Sequence, residues 1–224
     1  MSSVSVILPA AGAGTRFGAD RNKIFELIGD QPVFAHSIRL FSRREDVGQI
    51  LLAVSRVDRQ MINDEYGELL RQENVTLVDG GEDRTGSVRN ALRQVSPDAQ
   101  WVCIHDAVRP CLSASSIDEV FAAAAESGAA ILAWPIHGTI KRATGEQIVE
   151  TVDRADLWQA QTPQVFRRDW LEEAYATGES ATDDAAMLER AGRPVRLVAG
   201  DPRNVKITTP ADLAMAAAAM KTLG

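Results

Sequence analysis

Val4-Ser-Val-Ile-Leu-Pro-Ala-Ala-Gly-Ala-Gly-Thr-Arg-Phe-Gly18, with Lys23 just beyond it, is the stretch that decides how the chain is read. Residues 4–8 form an apolar run of the kind a buried parallel strand requires. The run breaks into small residues carrying Gly12, Gly14 and Gly18, with Arg16 among them. Glycines let a backbone approach a ligand closely, and the N–H groups of such a loop suit an anion. A guanidinium and an ammonium beside them make a polyphosphate the expected anion. The loop is therefore expected to grip a nucleoside triphosphate. Its spacing, G-x-G-x-x-x-G, is neither the dinucleotide G-x-G-x-x-G nor a Walker loop, and no acidic residue ends the second strand near Val54. A plain strand-to-helix turn is the competing reading; Arg16 and Lys23 weigh against it.

Outward from this loop, short apolar runs at 49–54, 75–78, 101–104 and 129–134 alternate with helical spacing at 32–43, 58–71, 84–95 and 115–127. That alternation predicts an α/β, Rossmann-like, mostly parallel sheet with helices on both faces. Such sheets bind ligands at the carboxyl ends of their strands, and each polar motif below begins where a strand is expected to stop. Residues 135–163 break the rhythm. Within them, 140–152 read as a β-hairpin with too few apolar residues to fold alone, so the segment is expected to be an arm packed on a second subunit. The tail is expected to hold helices at 169–177, 183–191 and 210–221, with strands at 195–199 and 204–207. Length fits a single domain over residues 1–224.

A net charge of −7 excludes broad nucleic-acid binding, which needs a basic surface, so any anion site must be local. No stretch approaches the roughly 20 apolar residues of a membrane span, so no membrane contact is expected. Two cysteines, Cys103 and Cys111, are too few for a disulfide framework and point to a reducing cytoplasm. Only four of the 24 basic residues are lysines, which makes Lys23 and Lys206 less ordinary than their charge alone suggests.

Three further polar clusters carry chemistry. Asp79-Gly-Gly-Glu-Asp-Arg84 with Ser87 stands between a strand and a helix; its glycines can expose backbone groups to a base edge, or it is a simple βα turn. Ile104-His-Asp-Ala-Val-Arg-Pro110 places Asp106 where a carboxylate binds ribose hydroxyls or a metal, and Arg109 where it binds phosphate. His105 reads as a structural histidine. Thr182-Asp-Asp184 reads as a helix start with Asp183 as cap. Lys206, between Val205 and Ile207, projects opposite to both if the segment is a strand, and surface placement is its plain reading. No G-x-S-x-G elbow or other nucleophile motif occurs.

The ordered set Pro-Ala-Ala-Gly-x-Gly-x-Arg16, Gly-Gly-x-x-Arg-x-x-Ser-Val88, His-Asp-Ala-Val-Arg-Pro110, Leu-Trp-x-x-Gln-Thr-Pro-Gln164 and Asn-Val-Lys-Ile-Thr-x-Pro-x-Asp212 resembles the 2-C-methyl-D-erythritol 4-phosphate cytidylyltransferase family of the non-mevalonate isoprenoid pathway. The resemblance spans nearly the whole chain in order. It implies a nucleotidyltransferase fold, a homodimer joined through the arm, CTP and a polyol phosphate as substrates, and Mg²⁺ carried mainly by the CTP phosphates. It also implies that Arg16, Lys23 and Lys206 stabilise the triphosphate and its transition state. Ala11, Gly12 and Gly14 would lie along CTP; Gly81, Glu82 and Ser87 would recognise cytosine; Asp106 and Ala107 would contact ribose. Thr139, Arg109, Arg154, Thr162 and Lys206 would hold the methylerythritol phosphate. Two positions depart from the family pattern: Asn22 stands where a proline precedes the lysine, and Gly138 where an aspartate precedes the arm threonine.

The expected reaction needs no general base. A phosphate monoester has a second pKa of about 6 and is largely dianionic at neutral pH. It can attack the α-phosphorus directly once the charge is neutralised. The nearest rival is ribitol-5-phosphate cytidylyltransferase, which shares the CTP half; an NAD-dependent oxidoreductase and a non-catalytic nucleotide-binding module are more remote.

Overall fold

The computed structural model describes residues 3–12 and 22–223. The expectations placed on Gly14, Arg16 and Gly18 therefore lie outside the described residues. The chain opens with β1 (Val4–Pro9), then a 3₁₀ turn (Lys23–Phe25) and a small hairpin, β2 (Leu27–Ile28) and β3 (Gln31–Pro32). Next come α1 (Val33–Ser42), β4 (Val47–Val54), α2 (Arg56–Gln72), β5 (Val75–Asp79), α3 (Arg84–Leu92), β6 (Trp101–Ile104), α4 (Ala114–Ser127) and β7 (Ala129–Pro135). The arm is β8 (Ile140–Thr144) and β9 (Gln147–Val152). The chain ends with β10 (Trp158–Arg167), α5 (Arg168–Ala176), α6 (Asp184–Arg190), β11 (Arg196–Ala199) and α7 (Pro210–Met220).

Seven strands form one sheet in the order β11-β7-β10-β6-β1-β4-β5. β1 pairs in parallel with both β4 and β6, β4 with β5, and β11 with β7; only β10 runs antiparallel, to β6 and β7. The expected mostly parallel sheet is thus present, with β1 buried along its length and clad on both faces. Side chains alternate across it. Val4, Val6 and Leu8 join Ile50, Leu52 and Val54 in a core with Phe34, Ile38 and Phe41 of α1, Ile62 of α2 and Ile117 of α4. Ile7, Leu51 and Ala53 point the other way, onto Val88 of α3, Leu171 of α5 and Leu188 of α6. Each wholly buried ring such as Phe34 or Phe41 contributes about 1.5–3 kcal/mol of transfer free energy, so these faces fix which side of the sheet each helix covers.

Two expectations about elements change. The arm ends sooner than residue 163, because Trp158–Arg167 is a sheet strand inserted between β6 and β7. Residues 204–207 form no strand; Ile207 is tied to the β6–α4 loop by its N–H on the Val108 carbonyl at 3.0 Å. The topology sets the site. From β1 the chain moves outward to β4 and β5, then returns to the other side of β1 as β6, so the strand order reverses beside β1. A crevice opens at the carboxyl ends of strands at such a reversal.

Candidate active site

A cleft of about 360 Å³ opens at this reversal point. Pro9 to Gly12 line it from the end of β1, Asn22 and Lys23 from the 3₁₀ turn, Gly81 to Arg84 and Ser87 from the β5–α3 junction, Asp106 and Val108 from the end of β6, and Lys206 from the tail. The two glycines after β5 are needed for close approach. A Cβ on Gly80 would lie 2.3 Å from the Ala11 Cβ, and one on Gly81 would lie 2.5 Å from the Gly86 carbonyl carbon. The cap of α3 is Asp83, whose Oδ1 accepts the Gly86 N–H at 2.6 Å. Ser87 shapes the same loop: its hydroxyl accepts the Gly81 N–H at 3.0 Å and donates to the Asp83 carbonyl at 2.8 Å. Gly81 and Glu82 are thereby held at the cleft wall.

Asp106 is the electrostatic centre. Its carboxylate, only 6% exposed, takes Arg84 Nε on one oxygen at 2.9 Å and Lys206 Nζ on the other at 2.8 Å, with Arg109 Nε at 3.7 Å. Burial alone would push its carboxyl up, but the charges of Arg84, Lys206 and Arg109 outweigh it and hold it well below the usual carboxylate range. Arg84 also binds Asp184 Oδ2 at 2.7 Å, and the Tyr175 hydroxyl donates to the other oxygen of this wholly buried carboxylate. Arg84 thus bridges two buried acids. This role of Arg84 is not legible in its local sequence, because its partners stand 22 and 100 residues away.

The tail is seated by hydrogen bonds to the same loop. Arg109 Nη1 donates to the Asn204 carbonyl at 2.7 Å, and Asn204 Nδ2 donates to the Thr162 carbonyl at 2.8 Å. Lys206 therefore turns its ammonium onto Asp106 in the cleft rather than to open surface. Asp183 is the cap of α6, as expected, with its carboxylate on the Ala186 N–H.

His105 is structural, as its strand-end position suggested. Its Nε2 meets the Arg109 carbonyl at 3.0 Å and must donate there, which leaves Nδ1 to accept from the Thr162 hydroxyl at 3.1 Å. The Thr162 oxygen in turn accepts the Asp106 N–H at 3.0 Å. Complete burial pushes the imidazole down to about 4. The folded state therefore holds fewer protons than the unfolded chain between about 4 and 6.5, and stability falls as pH drops through that window. The loss is expected to approach about 3 kcal/mol. Urea midpoints followed from pH 7 down to about 5 should decline in the native chain and flatten in His105→Gln; parallel curves would rule the linkage out.

Other expected site residues fall outside this cleft. Ala107 is wholly buried behind it, its N–H on the Pro9 carbonyl at 3.3 Å and its carbonyl accepting from Ser37 Oγ, so Val108 takes the cleft wall instead. Arg109 and Thr162 form its buried support. Thr139 and Arg154 stand exposed on the arm segment. Among the described residues no group of three or more His, Cys, Asp or Glu converges as a metal cage, and both Asp106 oxygens already face cations.

Comparison with known proteins gives a consistent result. The family model described as IspD, 2-C-methyl-D-erythritol 4-phosphate cytidylyltransferase, matches residues 4–222. A protein of that name from Rhodopirellula baltica is 46% identical over 97% of this chain and 94% of its own length. Another from Bacillus velezensis is 38% identical over 96% of this chain and 95% of its own. A crystal structure of 4-diphosphocytidyl-2C-methyl-D-erythritol synthase superposes at TM-score 0.82 with 33% identity, covering 98% of both chains. The Thermus thermophilus 2-C-methyl-D-erythritol 4-phosphate cytidylyltransferase superposes at 0.81 with 31% identity, covering 99% of this chain and all of its own.

Proposed function

We propose a division of labour within the cleft of a chain that belongs to the 2-C-methyl-D-erythritol 4-phosphate cytidylyltransferase family. The enzyme transfers CMP from CTP to 2-C-methyl-D-erythritol 4-phosphate, releasing pyrophosphate, in isoprenoid precursor synthesis. The observation that carries the division is the convergence of Lys23, from near the first strand, and Lys206, from the tail, on one cleft with Asp106 between Arg84 and Lys206.

In this reading Ala11, Gly12 and Gly14 run along the phosphates, while Gly81 and Glu82, on the loop that Ser87 shapes, meet the cytosine. Asp106, at the foot of the cleft, takes the ribose. Arg16, Lys23 and Lys206 neutralise the triphosphate and the charge that builds at the α-phosphorus. An oxygen of the acceptor's phosphate dianion bonds to that phosphorus, and the bond from it to the β-phosphate's bridging oxygen breaks with the electron pair leaving on pyrophosphate. No side chain has to remove a proton. The donor set fits a Mg²⁺ that arrives on the nucleotide, because, of the cleft's three described carboxylates, Asp106 is paired with Arg84 and Lys206 and Asp83 caps α3, and no cage forms among the described residues. Bound there, the ion would add charge neutralisation along the triphosphate.

The acceptor half draws on Lys206, with Arg109 and Thr162 steadying the cleft from behind, and on Thr139 and Arg154 from the arm of a second subunit. Among the described residues β8 and β9 pair only with each other, and Ile148 and Val149 stand 66% and 60% exposed, which supports a homodimer formed through the arm. A cytoplasmic setting completes the reading, with Cys103 and Cys111 both free and buried. Among the described residues no helix is long and apolar enough to cross a membrane.

Pyrophosphate release with CTP and Mg²⁺, run side by side on methylerythritol phosphate and ribitol 5-phosphate, tests the acceptor; faster turnover of ribitol phosphate would refute it. Loss of one charged hydrogen-bond donor costs about 1.5–3 kcal/mol, so Arg154→Ala should raise KM for methylerythritol phosphate about 10- to 100-fold and leave KM for CTP unchanged. Unaltered acceptor kinetics would remove the arm from the site.

A further inference from the structure

Asn22, on the cleft wall, sits where the end of β1, the 3₁₀ turn and the first turn of α2 meet. Its backbone, at φ −60° and ψ 132°, stands immediately before the 3₁₀ turn Lys23–Phe25, and its Oδ1 caps that turn by accepting the Ile24 N–H at 3.3 Å. Its Nδ2 donates to the Ala10 carbonyl, just past β1, at 3.2 Å and to Asp58 Oδ2, in the first turn of α2, at 2.9 Å. Asp58 is itself fixed: the same oxygen accepts from Ser55 Oγ at 2.8 Å, and the Asp58 N–H donates back to Ser55 Oγ at 3.0 Å. Both amide hydrogens and the amide oxygen of Asn22 are thus used, each on a different segment.

The turn has a second anchor on its far side. Ile24 and Phe25 are 1% and 3% exposed, and the Phe25 ring meets Phe34 edge-on and stacks with Tyr66 at 6.2 Å. These rings hold the turn down on the core, but a hydrophobic contact is non-directional and does not set the turn's rotation. The Asn22 carboxamide supplies direction, and Lys23 is the residue between the two anchors. No other uncharged side chain of this size offers two donors and one acceptor in one plane, and a carboxylate there would face both Asp58 and the Ala10 carbonyl.

We propose that Asn22 is the positioning residue for Lys23, aiming its ammonium into the cleft by tying the turn to β1 and α2. The inference rests on the reading of Lys23 as a ligand of the reacting phosphates. Misplacing a catalytic group by about 1 Å costs up to about 100-fold, so Asn22→Ala should lower kcat about 10- to 100-fold while KM for methylerythritol phosphate stays within about threefold.

The test is steady-state kinetics on the full chain with CTP, Mg²⁺ and methylerythritol phosphate, as a cycle with Lys23→Ala. If Asn22 acts through Lys23, Asn22→Ala costs less than about twofold in the Lys23→Ala background, whereas a general loosening of the fold would cost as much again. Asn22→Asp should be at least as damaging as Asn22→Ala. Adding Asp58→Asn to Asn22→Asp reverses the direction of the bridge and should recover kcat at least about threefold. An Asn22→Ala variant within about twofold of the native enzyme, or one that repeats its full loss without Lys23, overturns the positioning role. Near-native turnover in Lys23→Ala overturns the reading beneath it and the inference with it; a crippled Lys23→Ala beside an unaffected Asn22→Ala overturns the inference alone.

Discussion

Lys206→Ala is expected to lower turnover by about 10²- to 10³-fold, the largest kinetic loss of any single substitution in the cleft. The reason is position. Lys206 arrives on a segment pinned by the Arg109–Asn204 and Ile207–Val108 hydrogen bonds, and its ammonium already lies in the cleft, 2.8 Å from Asp106. In the proposed reaction it faces the triphosphate on one side and the acceptor phosphate on the other, so one cation serves both polyanions. Its removal also leaves an oxygen of a buried carboxylate facing incoming phosphates, which adds repulsion to the lost attraction. Lys206→Arg keeps the charge but replaces a compact ammonium with a wide planar fork, and should recover only part of the rate. The measurement is single-turnover pyrophosphate release at saturating substrates. A variant within about threefold of the native rate would show that Lys206 only neutralises Asp106.

The fold was legible where burial wrote itself as composition. β1, β4, β6 and β7 are clad on both faces, and such strands must be continuous apolar runs. β10 escaped for the opposite reason. Its buried middle is Gln161-Thr-Pro-Gln164, polar residues that serve as ligands for other segments rather than as core. Gln161 donates to the Asp201 carbonyl, Thr162 joins His105 to Asp106, and Gln164 accepts from the Asp184 and Ala185 N–H groups. No period-two pattern survives that use, and the register also shifts between Ala160 and Gln164. The segment 204–207 failed in reverse: Val205 and Ile207 do turn toward the core, but an alternating tripeptide docked by a few loop contacts is not a strand.

The site was legible as far as its motifs were local. The glycine pair and Asp106 each suggest chemistry within a few residues, whereas Lys206 reads locally as a surface residue and enters the site only through the family resemblance. The network that unites them does not, because it is built from pairs far apart in the chain. Asn22 looked like a missing proline from sequence, yet its side chain fixes with three hydrogen bonds the turn a proline ring would stiffen covalently.

Arg84 is where that long-range wiring matters most for stability. Arg84→Ala is expected to destabilise the fold by about 3–5 kcal/mol, because it strips the buried Asp184 of its ion-pair partner and takes from Asp106 one of the three cations that hold it. Asp106 is 6% exposed and Asp184 wholly buried, so neither can recover its lost partner from water. For a domain of this length that corresponds to a fall in Tm of about 6–20 °C. The cause can be separated from simple loss of packing. Asp184→Asn in the Arg84→Ala background removes one orphaned charge while its remaining oxygen still accepts from Tyr175, and should return about 1–2 kcal/mol. In the native background the same Asp184→Asn breaks a pair and should destabilise. A change of sign between the two backgrounds is therefore the signature of the bridge. Thermal melts of the four chains decide it: a fall in Tm under about 2 °C for Arg84→Ala, or the same sign for Asp184→Asn in both backgrounds, would mean that Arg84 lines the cleft without holding its floor together.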